Sequence, residues 1–228
     1  MVSRGAAANG WRSDPIIRLD ARSIRDASRE IAARDLALSS VLGTWGPPPT
    51  WRRPANFATF VRIILEQQVS LGSAKATLDR LTRLLHGRSI TAMAVAGLRE
   101  SELRTIGFSR QKARYTIALA NQVKSRQFGI AALRDLDDET ATRRITDQIG
   151  LGPWSAAVYL MMALMRPDIL PRGDLALAKG LAELDGGDYR DFESLDRRTR
   201  SWRPFRSVGV RLVWQSYLAR RNRTMLDD

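Results

Sequence analysis

The sequence predicts an all-α protein. No segment alternates between apolar and polar residues with a period of two over a useful length, and β-branched residues are scattered rather than grouped. Apolar residues instead recur three and four positions apart in segment after segment. The 228 residues suffice for one large domain or for two lobes that share a core. We therefore expect a helical fold without a β-sheet.

The first helical segment follows an N-terminal stretch without periodicity. Residues 1–14 are small and polar, and we expect them to be disordered and to be followed by a single domain over 15–228. A helix is predicted from Asp20. Gly43 and the three prolines at 47–49 are residues that end helices, so we expect this helical segment to stop there.

The next pair of helices carries two adjacent glutamines. The apolar face of residues 55–70 predicts a strong helix, and residues 73–86 predict a second one. Gln67 and Gln68 lie at the C-terminal end of the first helix. Adjacent glutamines near a helix end are usually exposed to solvent. Their amides both donate and accept hydrogen bonds, however, which suits contact with the edges of nucleic-acid bases.

Three cations crowd the start of a later helix. Residues 91–106 predict short helices, and residues 110–122 predict a long one that follows Gly107. Arg110, Lys112 and Arg114 fall in its first turn, where positive charge is unfavourable against the helix dipole. This placement indicates either an anionic ligand nearby or ordinary surface charge.

A tight turn joins two further helices, predicted at 140–148 and about 154–165. Gly150 and Gly152 have no Cβ, so successive backbone N–H groups at the start of the second helix can point outward. Together with the positive end of the helix dipole, such groups form a phosphate site. The same pattern also occurs as a simple helix-entry turn, and it lacks the third glycine of a dinucleotide-binding fingerprint.

One carboxylate stands out after this turn. Asp174 follows a proline-rich loop and precedes a predicted helix that extends to about Leu184. Aspartate is a favoured N-cap residue, so a purely structural role is one interpretation. The other is that the carboxylate acts on whatever the bound phosphate carries. Further helices are predicted over 189–200 and in the apolar segment 208–217.

The charge balance indicates a polyanionic partner. The 37 basic residues outnumber the 24 acidic residues and give a formal net charge of +13, which leaves nucleic acid and an anionic membrane surface as candidates. The longest purely apolar run, 156–165, is far shorter than the ~18 residues of a membrane span. We therefore expect nucleic acid as the partner and no membrane.

The residue inventory limits the chemistry. The sequence has no cysteine, which excludes disulfides, thiol nucleophiles and iron–sulfur clusters. His86 is the only histidine, so a catalytic centre must rely on carboxylates. Residues 1–15 contain no apolar segment of a secretory signal. We expect a protein of the bacterial cytoplasm that associates with the nucleoid.

Four motifs together resemble a known family. The sequence resembles the helix-hairpin-helix (HhH-GPD) superfamily of DNA base-excision glycosylases, and within it the branch of 3-methyladenine DNA glycosylase II. The resemblance extends from about Asp35 to Tyr217. It rests on the segments 63–70 (IILEQQVS) and 149–156 (IGLGPWSA), on Asp174 after its loop, and on 202–207 (WRPFRS) leading to Trp214.

The resemblance implies a two-lobed helical fold with an interlobe cleft and no β-domain. Lobe 1 is then expected at about 59–167, including the hairpin at 145–160. Lobe 2 is expected to combine 15–58 with 168–228. A double-stranded DNA with a damaged base is the implied partner, and we expect the protein to act as a monomer.

The resemblance also implies roles for particular residues. Asp174 is the expected catalytic carboxylate. The expected base pocket contains Trp154, Trp214, Val158 and Leu175, the last two replacing aromatic residues of the best-known relative. The expected DNA-binding residues are Gln67, Gln68, Arg110, Lys112, Gly150, Gly152 and Ser155, with Gln68 at the position of a wedge that is leucine in that relative. Main-chain carbonyls of Gln148 and Gly150 are expected to hold a Na⁺ or K⁺ ion.

The implied activity is hydrolysis of the bond between a damaged base and its sugar. Superfamily members that form a Schiff base and nick the strand have lysine at the position of Trp154, so the resemblance implies a monofunctional enzyme with water as the attacking group. We expect excision of alkylated purines without a required cofactor. The alternatives are a DNA-binding protein without catalytic activity and a glycosylase for deaminated or oxidised bases.

Overall fold

The computed structural model describes residues 17–223 and 225. Within this part of the chain there are twelve α-helices, two short 3₁₀ segments and no β-strand. The expectation of disorder for residues 1–14 lies outside the described residues. None of the described helices is long and apolar enough to span a membrane.

The N-terminal helical segment is two helices rather than one. The first, α1 (Ala21–Ala32), begins with a capping box between Asp20 and Ser23. The second, α2 (Leu36–Trp45), begins at the N-cap Asp35, whose side chain accepts a hydrogen bond from the backbone N–H of Leu38. The apolar periodicity continues across both helices, which is why the sequence predicted a single element.

Five helices follow before the hairpin, and most agree with the sequence within a few residues. Their bounds are α3 (Phe57–Glu66), α4 (Leu71–Leu84), α5 (Ala92–Ala96), α6 (Glu100–Thr105) and α7 (Arg110–Lys124). The C-terminal part contains α8 (Asp138–Thr146), α9 (Pro153–Met162), α10 (Leu175–Asp185), α11 (Phe192–Arg198) and α12 (Arg206–Ala219). The 3₁₀ segments are Ala131–Asp135 and Arg200–Trp202.

The helices pack in two groups. In one group, α3 contacts α4, α7 and α9, while α5 and α6 pack on α7, and α8 packs on α9. In the other group, α1 and α2 contact α12, which also packs on α10. The exact lobe bounds drawn from the resemblance stay a prediction.

Helix α9 forms the centre of the core, and its residues from Ser155 to Met162 are all buried. The ring of Tyr159 stacks on that of Phe60 in α3, with 4.0 Å between the ring centroids. Burying a whole helix surface in this way contributes stability in proportion to the apolar area removed from water. The helix is therefore a fixed reference for the turn that precedes it.

A buried arginine joins the two groups of helices. Arg211 in α12 is fully buried, and its guanidinium donates to the carbonyl oxygens of Met161, Ser207 and Thr50. Burial lowers the pKa of Arg211 to about 10. Because Met161 belongs to α9, these hydrogen bonds fix α12 against α9.

Candidate functional site

Asp174 is the N-cap of α10, as one interpretation of the sequence required. Its Oδ1 accepts a hydrogen bond from the backbone N–H of Leu177 at 2.7 Å. The preceding Gly173 has a φ of +76°, which favours glycine and turns the loop toward the helix. The residue is only 6% exposed. Capping therefore fixes the carboxylate without deciding whether it also has a chemical role.

Two indole rings hold the same carboxylate. The Nε1–H of Trp154 donates to Oδ2 of Asp174 at 2.8 Å, and the Nε1–H of Trp214 donates to Oδ1 at 3.1 Å. Trp154 lies in the first turn of α9, and Trp214 lies in α12. The carboxylate thus accepts three N–H groups from three elements, and no cationic side chain pairs with it among the described residues.

The four residues expected to form the base pocket differ in exposure. Trp214 is 6% exposed, Val158 is 4% exposed, and Trp154 is half-buried. Leu175 is 71% exposed directly after Asp174. The structure therefore brings both tryptophans to the carboxylate as hydrogen-bond donors. Their role as walls on which a base stacks, and the pocket roles of Val158 and Leu175, stay predictions.

The hairpin turn between α8 and α9 needs only one of its two glycines. Gly150 has a φ of +81°, and a Cβ added there would lie 2.2 Å from the ring of Tyr115. Gly152 has a φ of −89°, and an added Cβ would meet nothing within 4 Å. The positive φ of the turn therefore belongs to Gly150 alone, while Gly152 leaves the backbone at the start of α9 unobstructed.

The start of α9 is nevertheless an open donor site. Gly152 is the N-cap and has no side chain, so no side-chain cap satisfies the first N–H groups of the helix. Pro153 occupies the first helical position, where a missing N–H costs nothing. Because a Cβ at Gly152 would point into open space, a ligand can approach the backbone closely there.

The side chains of Gln67 and Ser155, both expected to bind DNA, are hydrogen-bonded to each other, and Gln67 also contacts the backbone of the hairpin turn. The Nε2 of Gln67 donates to the carbonyl oxygen of Gly150 at 2.8 Å and to Oγ of Ser155 at 3.0 Å. Gln67 is half-buried and Ser155 is 1% exposed. Their polar groups therefore join the α3–α4 turn to the hairpin, and DNA contact by either residue stays a prediction.

The neighbouring Gln68 has the opposite character. It is exposed and adopts a φ of +56°, a left-handed conformation that non-glycine residues rarely take. Strain of this kind is concentrated at functional sites and is maintained by the surrounding structure. Gln68 is therefore the exposed tip of the α3–α4 turn, where the sequence analysis expected a wedge.

The cations at the start of α7 face in different directions. Lys112 points inward, and its ammonium donates to the carbonyl oxygens of Leu65 and Gln67, both at 2.8 Å. Burial lowers the pKa of Lys112. Arg110 is exposed and has no hydrogen-bond partner among the described residues. The structure thus gives Lys112 an internal contact that the sequence did not predict.

The α3–α4 turn, the start of α7 and the hairpin line a common groove. Its volume is about 810 Å³, and exposed Val69 and Ile149 lie along it. The lining otherwise consists of Gln67 and Gln68, the α7 N-cap Ser109, the α7 residues Gln111, Lys112 and Tyr115, and residues 146–148 and 150–152 of the hairpin. Most of the residues expected to bind DNA therefore share one surface.

The carbonyls expected to hold an alkali cation are already hydrogen-bonded. The oxygen of Gln148 accepts from the N–H of Leu151, and that of Gly150 accepts from Gln67. A carbonyl oxygen has two lone pairs, so one accepted hydrogen bond leaves both oxygens able to bind Na⁺ or K⁺, and the cation site stays a prediction.

Comparison with known proteins decides the family. The family model described as the HhH-GPD superfamily of base excision DNA repair proteins matches residues 61–204, more than half of the chain. The chain belongs to the HhH-GPD superfamily. The match begins within α3 and ends after α11, so it contains the hairpin, the groove and Asp174. The resemblance inferred from the motifs is confirmed.

Solved structures of the HhH-GPD fold confirm the all-α architecture. A DNA-3-methyladenine glycosidase from Bacillus halodurans has a TM-score of 0.72 at 26% identity, covering 86% of this chain and 91% of that chain. A 3-methyladenine DNA glycosylase of Schizosaccharomyces pombe in complex with abasic DNA has a TM-score of 0.73 at 19% identity, covering 83% and 95%. At the lower identity the likeness concerns the fold alone.

Curated relatives include longer proteins. A probable bifunctional transcriptional activator and DNA repair enzyme of Mycobacterium tuberculosis is 28% identical over 205 residues, which cover 86% of this chain and 40% of the relative. The chain spans about half the length of the first curated relatives it matches.

Sequence reasoning missed how the HhH-GPD motifs contact each other. It assigned Trp154 and Trp214 a stacking role, which stays a prediction, and did not predict that both donate to Asp174. A buried indole N–H usually finds an acceptor, and that rule was the available signal. For Lys112 the unfavourable position of a cation at a helix start indicated either an anionic ligand or ordinary surface charge, whereas the observed partners are the backbone carbonyls of Leu65 and Gln67.

Proposed function

We propose that this chain is a monofunctional DNA glycosylase that excises alkylated purines of the 3-methyladenine type and leaves an abasic site. The observation that carries the proposal is the carboxylate of Asp174, which Trp154, Trp214 and Leu177 hold through N–H groups without a paired cation among the described residues. Family membership and the similarity to 3-methyladenine glycosylases support the same substrate class.

The chemistry requires such a group. Cleavage of the N-glycosidic bond builds positive charge on the sugar, and a preorganised carboxylate stabilises that charge as it forms. A purine alkylated at N3 or N7 is already cationic, so it leaves without protonation by a strong acid. This agrees with a sequence in which exposed His86 is the only histidine.

The damaged nucleotide must first leave the DNA stack. Extrusion costs a few kcal/mol and is easiest for a lesion that pairs badly. In this proposal the open N-terminus of α9 binds a backbone phosphate, and exposed Gln68 enters the gap left by the extruded base. Double-stranded DNA is therefore the proposed partner.

Water is the proposed attacking group. The first turn of α9 carries Trp154 where strand-nicking relatives carry lysine, and its indole cannot form a Schiff base. The ammonium of Lys112 is bound to carbonyl oxygens at the α3–α4 turn rather than near Asp174. We therefore expect base release without strand nicking. A Na⁺ or K⁺ ion held by hairpin carbonyls would add positive charge toward the phosphate, but no step depends on it.

The decisive experiment compares the wild type with Asp174→Asn. Asparagine caps helices as well as aspartate does, so the variant keeps the cap of α10. Its amide nitrogen cannot accept the indole N–H of Trp154, so the variant loses the charge together with that hydrogen bond. We expect release of 3-methyladenine from alkylated duplex DNA to fall by roughly a hundredfold or more, with DNA affinity retained. Asp191→Asn, at the N-cap of α11, is a matched control that should keep wild-type activity.

Three outcomes would contradict parts of the proposal. In the first, the protein binds DNA normally and yet releases no base from duplexes with 3-methyladenine, hypoxanthine, uracil or 8-oxoguanine. That outcome would favour a DNA-binding protein without catalytic activity. Release that survives Asp174→Asn would place the catalytic carboxylate elsewhere. Strand nicking without added alkali would contradict the monofunctional mechanism.

A further inference from the structure

The α3–α4 turn lacks the residues that usually end a helix. After α3 ends at Glu66, Gln67 has an extended conformation and Gln68 takes the left-handed one, where glycine is the common choice. The last carbonyls of a helix have no partner within it and carry the negative end of its dipole. A group outside α3 must therefore satisfy them for the turn to keep its shape.

Lys112 supplies that group. Its ammonium donates to the carbonyl of Leu65, in the last turn of α3, and to the carbonyl of Gln67, which precedes the exposed tip. A cation at the C-terminal end of a helix is favourable. This contact accounts for a lysine in the first turn of α7, where the dipole of its own helix opposes positive charge.

Gln67 connects the same turn to the hairpin. Its side-chain amide donates to the carbonyl of Gly150 and to the hydroxyl of Ser155, which are on opposite sides of the N-cap of α9. The backbone of Gln67 is thus held by Lys112, while its side chain is held by the proposed phosphate-binding turn. Both contacts lie at the groove that carries Gln68.

We propose that Lys112 and Gln67 are positioning residues that fix the exposed side chain of Gln68 relative to the hairpin, so that it enters the DNA stack when the backbone is bound. This inference rests on the proposed function. It assigns neither residue a direct contact with DNA. A rigid turn is required because a wedge that is misplaced by about 1 Å loses much of its effect on the reacting geometry.

The competing explanation is that Lys112 binds a DNA phosphate. Its ammonium has three donors and uses two of them within the protein. The two explanations differ in the salt dependence of binding. Loss of a phosphate contact lowers the slope of log affinity against log salt by about one, whereas loss of a positioning contact leaves that slope unchanged.

The test uses Lys112→Met and Gln67→Met, which keep side-chain length and remove the donors. Arg114→Met is the control, because it removes the same charge as Lys112→Met from an exposed position on the same helix. Base unstacking is measured by the fluorescence of 2-aminopurine beside the lesion, at saturating protein, with every variant also carrying Asp174→Asn so that no excision occurs. Single-turnover base release is measured without that second change.

We expect both positioning variants to lose most of the 2-aminopurine signal and to release base roughly tenfold to a hundredfold more slowly than the wild type. Their salt slopes should equal that of the wild type. Arg114→Met should retain the unstacking signal at saturation. If Lys112→Met does not fold, as checked by thermal unfolding, Gln67→Met still tests the proposal because it leaves α3 and Lys112 in place.

Unstacking signals for both variants within twofold of Arg114→Met would overturn the inference. A salt slope reduced by about one for Lys112→Met, with unstacking intact, would make Lys112 a phosphate ligand instead. These outcomes are distinct from failure of the proposed function, because the unstacking signal does not require excision. A wild type that unstacks the lesion but releases no base would contradict only the proposed function.

Discussion

The two tryptophans at Asp174 combine a large aromatic surface with a single donor each. A hydrogen bond from a buried N–H to a charged group contributes about 1.5–3 kcal/mol. In the proposed reaction these hydrogen bonds fix the orientation of the carboxylate relative to the sugar. Replacing tryptophan by phenylalanine keeps an aromatic ring and removes the donor, so it separates the observed contact from the predicted stacking.

We therefore expect Trp154→Phe and Trp214→Phe each to lower single-turnover base release roughly tenfold to a hundredfold, with DNA affinity little changed. Trp45→Phe serves as the control, because Trp45 is a half-buried tryptophan that makes no hydrogen bond to Asp174. Rates equal to that of the control would show that only the aromatic surface matters at these positions.

At this scale the sequence could predict identities but not contacts. The motifs singled out Asp174, Trp154 and Trp214, yet they left capping and catalysis as competing interpretations of the aspartate. The structure shows that the carboxylate of Asp174 both caps α10 and accepts hydrogen bonds from the two indole N–H groups. The second indole reaches it because α12 packs closely on α10 at Gly180, where a Cβ would lie 2.6 Å from Val213. Such tertiary contacts leave no local signal.

The hairpin is the element in which two similar glycines have different physical roles. Gly150 is required by a positive φ and by the ring of Tyr115, whereas Gly152 is required by neither. An alanine at Gly150 must strain the backbone and displace that ring. An alanine at Gly152 extends only into the open space that the proposed phosphate would occupy.

We expect Gly150→Ala to lower the free energy of unfolding by about 1–3 kcal/mol. Gly152→Ala should cost about 1 kcal/mol or less, because alanine is the poorer N-cap but neither a positive φ nor a steric clash adds to that cost. Urea denaturation measures both values. DNA affinity, measured by fluorescence anisotropy, should fall for Gly152→Ala although its stability is nearly retained. Unchanged affinity for that variant would argue against a phosphate at the start of α9.

Element ends were the least predictable feature of the fold. The apolar pattern predicted the hairpin's second helix to about Met165, but α9 ends at Met162. The N–H groups of Leu164 and Arg166 fold back onto the carbonyls of Tyr159 and Leu160, and Met165 takes a φ of +56°. A glycine is usual at a left-handed position after a helix, so the methionine there concealed the stop.

The whole molecule depends on a few buried polar contacts between distant segments. Asp35, only 8% exposed, accepts hydrogen bonds from the guanidinium of Arg198 and from Nε1 of Trp202 at 2.7 Å. These contacts join the start of α2 to α11 and to the segment before α12. They hold in place the group of helices that carries Trp214.

This cluster predicts a specific acid sensitivity. Burial alone would raise the pKa of Asp35, but the hydrogen bonds from Arg198 and Trp202 and the charge of Arg198 outweigh it and lower that pKa below its ordinary value of 3.8. A carboxyl with a lowered pKa in the folded state contributes stability that is present above its ordinary value. That stability is lost as the pH falls through the folded pKa.

We expect the free energy of unfolding to change little between about pH 7 and 5 and to fall below about pH 4. Asp35→Asn should lose roughly 2 kcal/mol at pH 7, because the half-buried guanidinium of Arg198 loses one of its two charged partners and keeps only Asp185, and the stability of the variant should depend less on pH in the acid range. The control variant is Asp188→Asn. It removes an exposed carboxylate whose pKa Arg190 also lowers, and it should lose little stability.

Urea unfolding at pH 7 and across pH 3–5 measures the stability of the wild type and of both variants. Equal losses in the two variants would mean that net charge, rather than the buried cluster, governs acid stability. A larger loss for Asp35→Asn would place the acid-sensitive contact where α2 meets α11. Base release should then decline in parallel with unfolding, because the helices that carry Trp214 are no longer held in place.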